Sequence, residues 1–360
     1  MRLLTSRRVG SQRIVGCPVT HAMSPREAAA GPARKRRTWR VALIGVGALL
    51  LAGGILGAYA WFLSSTFDTQ TEKISEAFPR PYSLRPPVLE GEAAKAQNIL
   101  LLGSDTGRPS GGSVAALGAR HSDSVIVVHI PADRAHIYVL SILRDSWVDV
   151  PGHGQARINA ALSLGGVPTA VATIEGLLGA RMDHVAIVDF TGFRGVTDAL
   201  GGVDIDNPVA FSSSRLEGRY FKRGTLHVNG TEALAFVRER HAFRDGDFQR
   251  TRNQQAFMKA LMTEVLSAGT LTDPGKVSGL VGAVAPFLAV DPGLNSAYLA
   301  GLALELRETR ADDVTFFTAP AKGTAIVGEH PIVKIDPVKF AALREAFTED
   351  TLDAYLSAPQ

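Results

Sequence analysis

The chain has almost no cysteine: of 360 residues, only Cys17 carries a thiol. That excludes an intramolecular disulfide framework and a zinc site built from cysteines, so a folded body must be held by its own core. The nine histidines show no metal-ligand spacing, which removes the imidazole zinc motifs as well. The body contains no internal repeat and no low-complexity run, which argues against a solenoid. Basic charge is also scarce where a nucleic-acid binder needs it. The net charge is +3, but residues 1–40 hold ten Arg/Lys against Glu27 alone, leaving about −6 for the remainder. A mildly acidic body argues against nucleic acid as a partner.

The remaining composition, 46% hydrophobic and 20% charged, is that of a chain with a sizeable core. Val41–Leu63 contains no charge and would span about 34 Å as a helix, enough to cross a bilayer. The run is longer than the apolar region of a secretory signal and starts some forty residues in. Arg34, Lys35, Arg36, Arg37 and Arg40 flank it on one side, and Trp61 sits near its other end. The positive-inside rule therefore predicts a single-pass cell-membrane protein with a cytoplasmic N-terminus and an extracytoplasmic body. The expected organisation is a disordered basic tail over 1–40, a transmembrane helix over 41–63, a proline-containing spacer or packed lead-in over 64–96, and a folded domain over 97–360.

Within that domain, strands and helices interleave. "NILLLGSD" reads as a buried strand, and "DSVIVVHI" and "HIYVLSI" as an antiparallel pair across a Pro-Asp turn. "GVPTAVATIEGLLGA" and "TGFRGVTDALGG" carry helical periods, with "HVAIVDF" a strand between them. "EALAFVRER" fits either a strand or a short helix. "DFQRTRNQQAFMKALMTEVLSAG" predicts a long amphipathic helix with Phe257, Leu261 and Val265 on one stripe. The final third adds the strand "DDVTFFTAP" and terminal helices. The sum is an α/β domain with a mixed central sheet.

The stretch 237–255, "VRERHAFRDGDFQRTRNQQ", concentrates five arginines. If 234–240 is extended, Arg238 and Arg240 share a face. Arg250 and Gln254 are one helical turn apart, with Asp247 at the helix start as its cap. Asp105 and Arg108 lie in the turn after the first buried strand, Arg120 and Asp123 just before the next, and Arg144 and Asp145 where the third ends. Guanidiniums bind phosphate bidentately, and Mg²⁺ readily shares a few carboxylates with phosphate oxygens. Together they point to a phosphate or diphosphate. Asp145 and Asp247 are candidates for a general base; Ser122 and Ser124 have no suitably placed histidine for a covalent mechanism.

In order, "NILLLGSDTG", "RHSDSVIVV", "SILRDSWVDVPG", "RINAALSLGG", "VDFTGFRGVTDALGGVDI", "LHVNGTEALAFVRER" and "DGDFQRTRNQQAF" resemble the LytR-CpsA-Psr family of cell-wall ligases. The resemblance covers residues 98 to about 258. It implies an α-β-α fold, a mixed sheet with helices on both faces, after one N-terminal transmembrane helix. It also implies a phosphotransferase that moves a glycopolymer, such as teichoic acid, arabinogalactan or capsule, from a polyprenyl-diphosphate carrier to a peptidoglycan hydroxyl. Mg²⁺ (or Mn²⁺) is the implied metal, on Asp105 and Asp123. Arg120, Arg144, Arg157, Arg238, Arg240, Arg250 and Gln254 would bind the diphosphate, with Arg144, Arg238, Arg240, Asp145 and Asp247 in catalytic roles. Arg157 stands where the family usually has lysine, Leu143 where it has proline, Gln249 where glycine is common, and Asn253 at a frequent arginine position. The alternatives are a non-catalytic carrier-binding or regulatory envelope protein, and a lipid-diphosphate hydrolase using the same site.

Overall fold

The computed structural model describes residues 33–104 and 122–358. The chain divides into two compact units, Met1–Gly57 and Ala58–Gln360. Helix α1 (Ala33–Gln70) extends past the apolar run 41–63 at both ends; the stretch contains no proline to break it. Its part Leu43–Gln70 is long and apolar enough to cross a membrane, and Leu49, Leu50 and Trp61 on it are exposed.

In the second unit the chain continues as β1 (Glu72–Lys73), β2 (Gln97–Ser104), β3 (Ser124–Ile130), β4 (Ile137–Ile142), β5 (Trp147–Val150) and β6 (Gly154–Arg157). Helix α2 (Ala161–Leu178), β7 (His184–Asp189), α3 (Phe190–Ala199), β8 (Val203–Asn207), β9 (Phe211–Ser212), β10 (Tyr220–Phe221) and β11 (Gly224–Val228) follow. Next come α4 (Gly230–Arg238), α5 (Gly246–Val265), α6 (Ala268–Leu271), α7 (Pro274–Val284) and β12 (Leu288–Val290). The chain closes with α8 (Ser296–Glu305), β13 (Val314–Thr318), the hairpin β14 (Ala321–Val327) and β15 (His330–Ile335), α9 (Pro337–Glu349) and α10 (Leu352–Ser357).

Seven strands form one mixed sheet in the order β1-β12-β7-β2-β3-β4-β13. Strand β2 is parallel to β7 and antiparallel to β3, and β3 and β4 form the expected antiparallel pair. Strand alternation sends Leu100 and Leu102 into a core shared with α2 and α9, whereas Ile126, Val128, Val139 and Phe316 face Met262 of α5 on the other side. Helices therefore cover both faces. Helix α2 passes the length and composition test for a membrane span, but half of its apolar window is buried in the body and it kinks at Gly165 and Gly166. A second core, rich in phenylalanine, gathers α4, α5 and the β8–β11 region around Phe211, Phe221, Phe236 and Phe257.

Residues 71–96 are fastened to the body at a few points. Strand β1 adds to the sheet edge, Ile74 and Ala77 are buried in the main core, and Arg85 makes a buried ion pair with Glu175. The segment read as either a strand or a short helix is helix α4. Asn229 accepts from the Glu232 N–H and Glu232 accepts from the Asn229 N–H, a capping box that commits the segment to a helix. Gly230 is required there, because a Cβ would lie 2.4 Å from the Arg194 carbonyl oxygen of α3.

Candidate functional site

The sheet register builds the first half of the site. Val125 pairs with Ile142 across the antiparallel strands β3 and β4, so the residues just before β3 lie beside those just after β4. The Asp123 N–H donates to the Gly103 carbonyl (2.8 Å), and Arg144 Nη1 donates to Asp123 Oδ1 at 2.6 Å. The segment 144–146 is fixed by its backbone: the carbonyls of Arg144, Asp145 and Ser146 accept from the N–H groups of Asn159, Val333 and Ile158.

The second half arrives from α4 and α5. Asp247 approaches Arg144 Nε through Oδ2 at 3.3 Å and Arg250 Nη2 through Oδ1, also at 3.3 Å. Asp145 lies 3.6 Å from Arg144 Nε and 3.4 Å from Arg157 Nη1. A cavity of about 140 Å³ results, lined by Asp123, Arg144, Arg215, Val237, Arg238, Arg240, Arg250 and Gln254. Five guanidiniums thus face one carboxylate. Among the described residues, no carboxylate forms an ion pair with Arg215 or Arg240, and the buried Nε of Arg250 has no hydrogen-bond partner there.

The carboxyls divide the charge unevenly. Burial pushes Asp145 up to about 6, helped by its hydrogen bond with Asp247. Burial acts on Asp247 in the same direction, but the hydrogen bond from Asp145 and the charges of Arg250 and Arg144 outweigh it and hold the group below the usual carboxylate range. Of the two carboxyls, Asp145 is therefore the one that takes up a proton first as pH falls through about 6. Burial and the nearby Arg144 charge lower the Arg250 pKa, marking a cation short of negative charge.

Of the residues expected from the sequence, Asp123, Arg144, Arg238, Arg240, Arg250 and Gln254 converge on the cavity. Asp145, Asp247 and Arg157 do not line it; they brace Arg144 and Arg250 from behind. Asp105, Arg108 and Arg120 lie outside the described residues. Two local expectations are corrected. Residues 230–238 are helical rather than extended, so Arg238 and Arg240 share the cavity because the chain leaves the helix at Glu239, not because a strand alternates. The N-cap position of α5 is Asp245, whose side chain makes no capping bond, and Asp247 sits in the first turn, where guanidiniums hold its carboxylate. The departures Gln249 and Asn253 are buried and tie α5 to α4 through the Phe236 carbonyl, while Arg252 is exposed and pairs with Asp245.

Sequence reasoning missed Arg215, which sits in a connection without periodicity, and an adjoining apolar cavity. The latter is lined by Leu101, Leu102, Ile126, Val188, Phe193 and Met258, among others, and shares Val237 and Gln254 with the arginine cavity. For a metal, the described residues contain no cluster of three or more His, Cys, Asp or Glu ligands, so they form no all-protein cage. The hard oxygen of Asp123 inside a ring of guanidiniums fits a Mg²⁺ shared with phosphate oxygens, which needs only one or two carboxylates.

The family model described as the LytR_cpsA_psr family matches residues 61–341. The chain is 30% identical over 316 residues to the cell wall biosynthesis protein LcpA of Corynebacterium glutamicum, covering 76% of this chain and 59% of that protein. It is 31% identical over 243 residues to the polyisoprenyl-teichoic acid–peptidoglycan teichoic acid transferase TagU of Bacillus cereus, covering 66% of this chain and 74% of that protein. The chain thus spans less than two thirds of the first of these relatives. Among solved structures, B. subtilis TagV superposes with a TM-score of 0.59 at 26% identity, covering 71% of this chain and 97% of that one. The LytR-Csp2A-Psr enzyme of Actinomyces oris has a TM-score of 0.57 at 20% identity, covering 79% and 96%, a likeness of fold.

Proposed function

The chain belongs to the LytR_cpsA_psr family, and on that premise we propose that it transfers a cell-wall glycopolymer from a polyprenyl-diphosphate carrier to a peptidoglycan hydroxyl. One observation carries the reading: a cavity walled by five arginines shares Val237 and Gln254 with a cavity walled almost entirely by apolar side chains. A diphosphate joined to a prenyl chain has that same division of polarity. A free nucleotide or sugar phosphate would leave the apolar half unused. The relatives whose names state cell-wall biosynthesis and teichoic acid transfer support the same assignment.

In this reading the glycan-bearing phosphoryl group lies among Arg144, Arg238, Arg240 and Arg250, with Gln254 at the junction of the two cavities. The acceptor hydroxyl oxygen forms a new bond to phosphorus, the bond to the bridging oxygen breaks, polyprenyl phosphate leaves, and the hydroxyl proton passes to the departing phosphate or to water. Charge grows on the non-bridging oxygens, and preorganised guanidiniums stabilise it without reorganising. Asp145 and Asp247 fix the direction in which Arg144 and Arg250 point. Asp123, with Asp105, would hold a Mg²⁺ or Mn²⁺, which neutralises diphosphate charge when bound. Helix α1 anchors the protein in the cell membrane with the N-terminus inside and the catalytic body outside.

The test uses the full chain in detergent with a polyprenyl-diphosphate-linked saccharide, peptidoglycan oligomers and Mg²⁺. A metal-dependent, phosphodiester-linked product that disappears in Arg238→Ala is the expected result. Capture of the carrier with no product from any acceptor would instead make this a carrier-holding protein, and release of free saccharide phosphate would make it a hydrolase.

A further inference from the structure

Arg215 reaches the arginine cavity from the connection between β9 and β10, a stretch that contributes nothing else to it. That connection is built rather than loose. Ser213 Oγ accepts from the N–H groups of Arg215 and Leu216, Leu216 packs on the phenylalanine core, and the Ser213 N–H donates to the Arg219 carbonyl.

What ties the connection to the rest of the site is Glu239, a fully buried carboxylate. Its Oε1 accepts from the N–H groups of Arg240 (3.0 Å), His241 (2.9 Å) and Ala242 (3.3 Å), which wrap it as the chain leaves α4. Its two oxygens also hold Ser214, the residue before Arg215: Oε2 accepts from the Ser214 N–H at 2.6 Å and Oε1 from the hydroxyl at 2.9 Å. Burial alone would raise the pKa of this group, and the bonds from Ser214, Ala242 and His241 outweigh it, keeping the carboxylate ionised. This buried anion lies inside the "VRER" stretch, between two arginines that line the cavity. Its hydrogen bonds go to four backbone N–H groups and the Ser214 hydroxyl.

We propose that Glu239 is a positioning residue that latches the 213–219 connection onto the exit of α4, and that it thereby holds Arg215 as a fifth substrate-binding guanidinium opposite Arg238 and Arg240. The inference rests on the diphosphate-carrier reading above. Arg215 is exposed, so it stands at the mouth of the arginine cavity, where it meets the carrier diphosphate as it enters. The latch couples two chain segments that the sequence separates by 25 residues, and it explains why an acidic residue sits between two phosphate-facing arginines.

Geranylgeranyl diphosphate with Mg²⁺ is the probe, titrated calorimetrically into the full chain in detergent. Arg215→Ala weakens binding about tenfold, the factor that one charge-assisted hydrogen bond is worth. Glu239→Gln keeps Oε1 for the Arg240, His241 and Ala242 N–H groups and for the Ser214 hydroxyl but turns an amide NH₂ toward the Ser214 N–H, so it breaks the shorter of the two latch bonds selectively and weakens binding by up to a similar factor. The double variant binds no worse than Arg215→Ala, because Glu239 acts through Arg215. If Glu239→Gln does not fold, Ser214→Ala removes the other half of the latch, the hydroxyl bond to Oε1, while the Ser214 N–H bond to Oε2 stays, and a smaller loss of binding is expected. Additive losses in the double variant would overturn the positioning role. Unchanged binding in Arg215→Ala, with binding lost in Arg238→Ala, would overturn the whole inference and leave the proposed function standing. A wild-type chain that binds no prenyl diphosphate would sink both.

Discussion

Two groups of arginines in this protein do opposite things. Arg85 is saturated: Nε and Nη2 both reach Glu175, Nη2 also donates to the Met182 carbonyl, and the guanidinium lies 4.6 Å from the Phe78 ring centroid. Glu175 in turn accepts from the Met182 N–H. In the arginine cavity five guanidiniums gather around Asp123, and Arg215 and Arg240 have no ion-pair partner among the described residues. The first arrangement is closed, and closing it holds the 71–96 lead-in to α2. The second is open, and self-repulsion among its cations makes sense only if an anion arrives from outside. What marks the functional site is the shortage of carboxylates beside arginine, not arginine itself.

Breaking the closed group has the largest expected effect. Arg85→Ala leaves the Glu175 charge buried and unpaired, and the expected destabilisation is about 3–5 kcal/mol, read by chemical denaturation. Diphosphate affinity of the folded protein should not change. Breaking the open group inverts this pattern. Arg240→Ala lowers transfer by about 10²–10³-fold, as loss of one preorganised donor does, yet its melting temperature should not fall, because one cation that repels Arg250 is gone.

The Asp145–Asp247 pair sharpens the comparison through pH. Asp145 has a folded pKa of about 6 against an ordinary 3.8, so the folded state binds its proton more tightly than the unfolded chain. That contribution is fully present below about pH 4 and is lost as pH rises through 6. Asp145→Asn imitates the protonated carboxyl toward Asp247, so the variant should gain on wild type between pH 4 and 7 by on the order of 3 kcal/mol. A constant difference across that range in denaturation experiments would show that no proton is held there.

Smaller effects separate the two cavities. Met258→Trp fills the apolar one and should weaken geranylgeranyl diphosphate about tenfold while leaving inorganic pyrophosphate unaffected; equal loss for both would mean that the cavities are not used together. The smallest change belongs to the exposed pair Lys95–Glu92, where Lys95→Ala should move stability by no more than about 0.5 kcal/mol.

Much of this was legible along the chain. The antiparallel pair β3–β4 follows from two apolar runs around a Pro-Asp turn, and the length of α5 from its stripe, of which Phe257 is buried and Leu261 and Val265 are half-buried in the second core. A sharper reading was available at α4: Asn229 and Glu232 are spaced as a capping box, a signal that favours helix over strand. Other features had no local signature. Gln249 and Asn253 look like departures in a row of polar residues, yet both are buried where α5 meets α4. The apolar cavity is drawn from strands whose hydrophobic rows serve equally as core, and only the packing of α3 and α5 over the sheet leaves room between them.

The sequence alone determined what depends on neighbours in the chain: a helix long and apolar enough to cross a membrane, the order of strands and helices, the family, and an excess of guanidiniums over nearby carboxylates. Tertiary structure decided which of those charges meet. Asp123 and Arg144 touch across 21 residues, and Arg144 and Asp247 across 103. The β3–β4 register and the packing of α5 against α4 and the sheet set those meetings. Coulomb energy and hydrogen bonding depend on distance through space, and no spacing along the chain encodes that distance before the sheet and helices have packed.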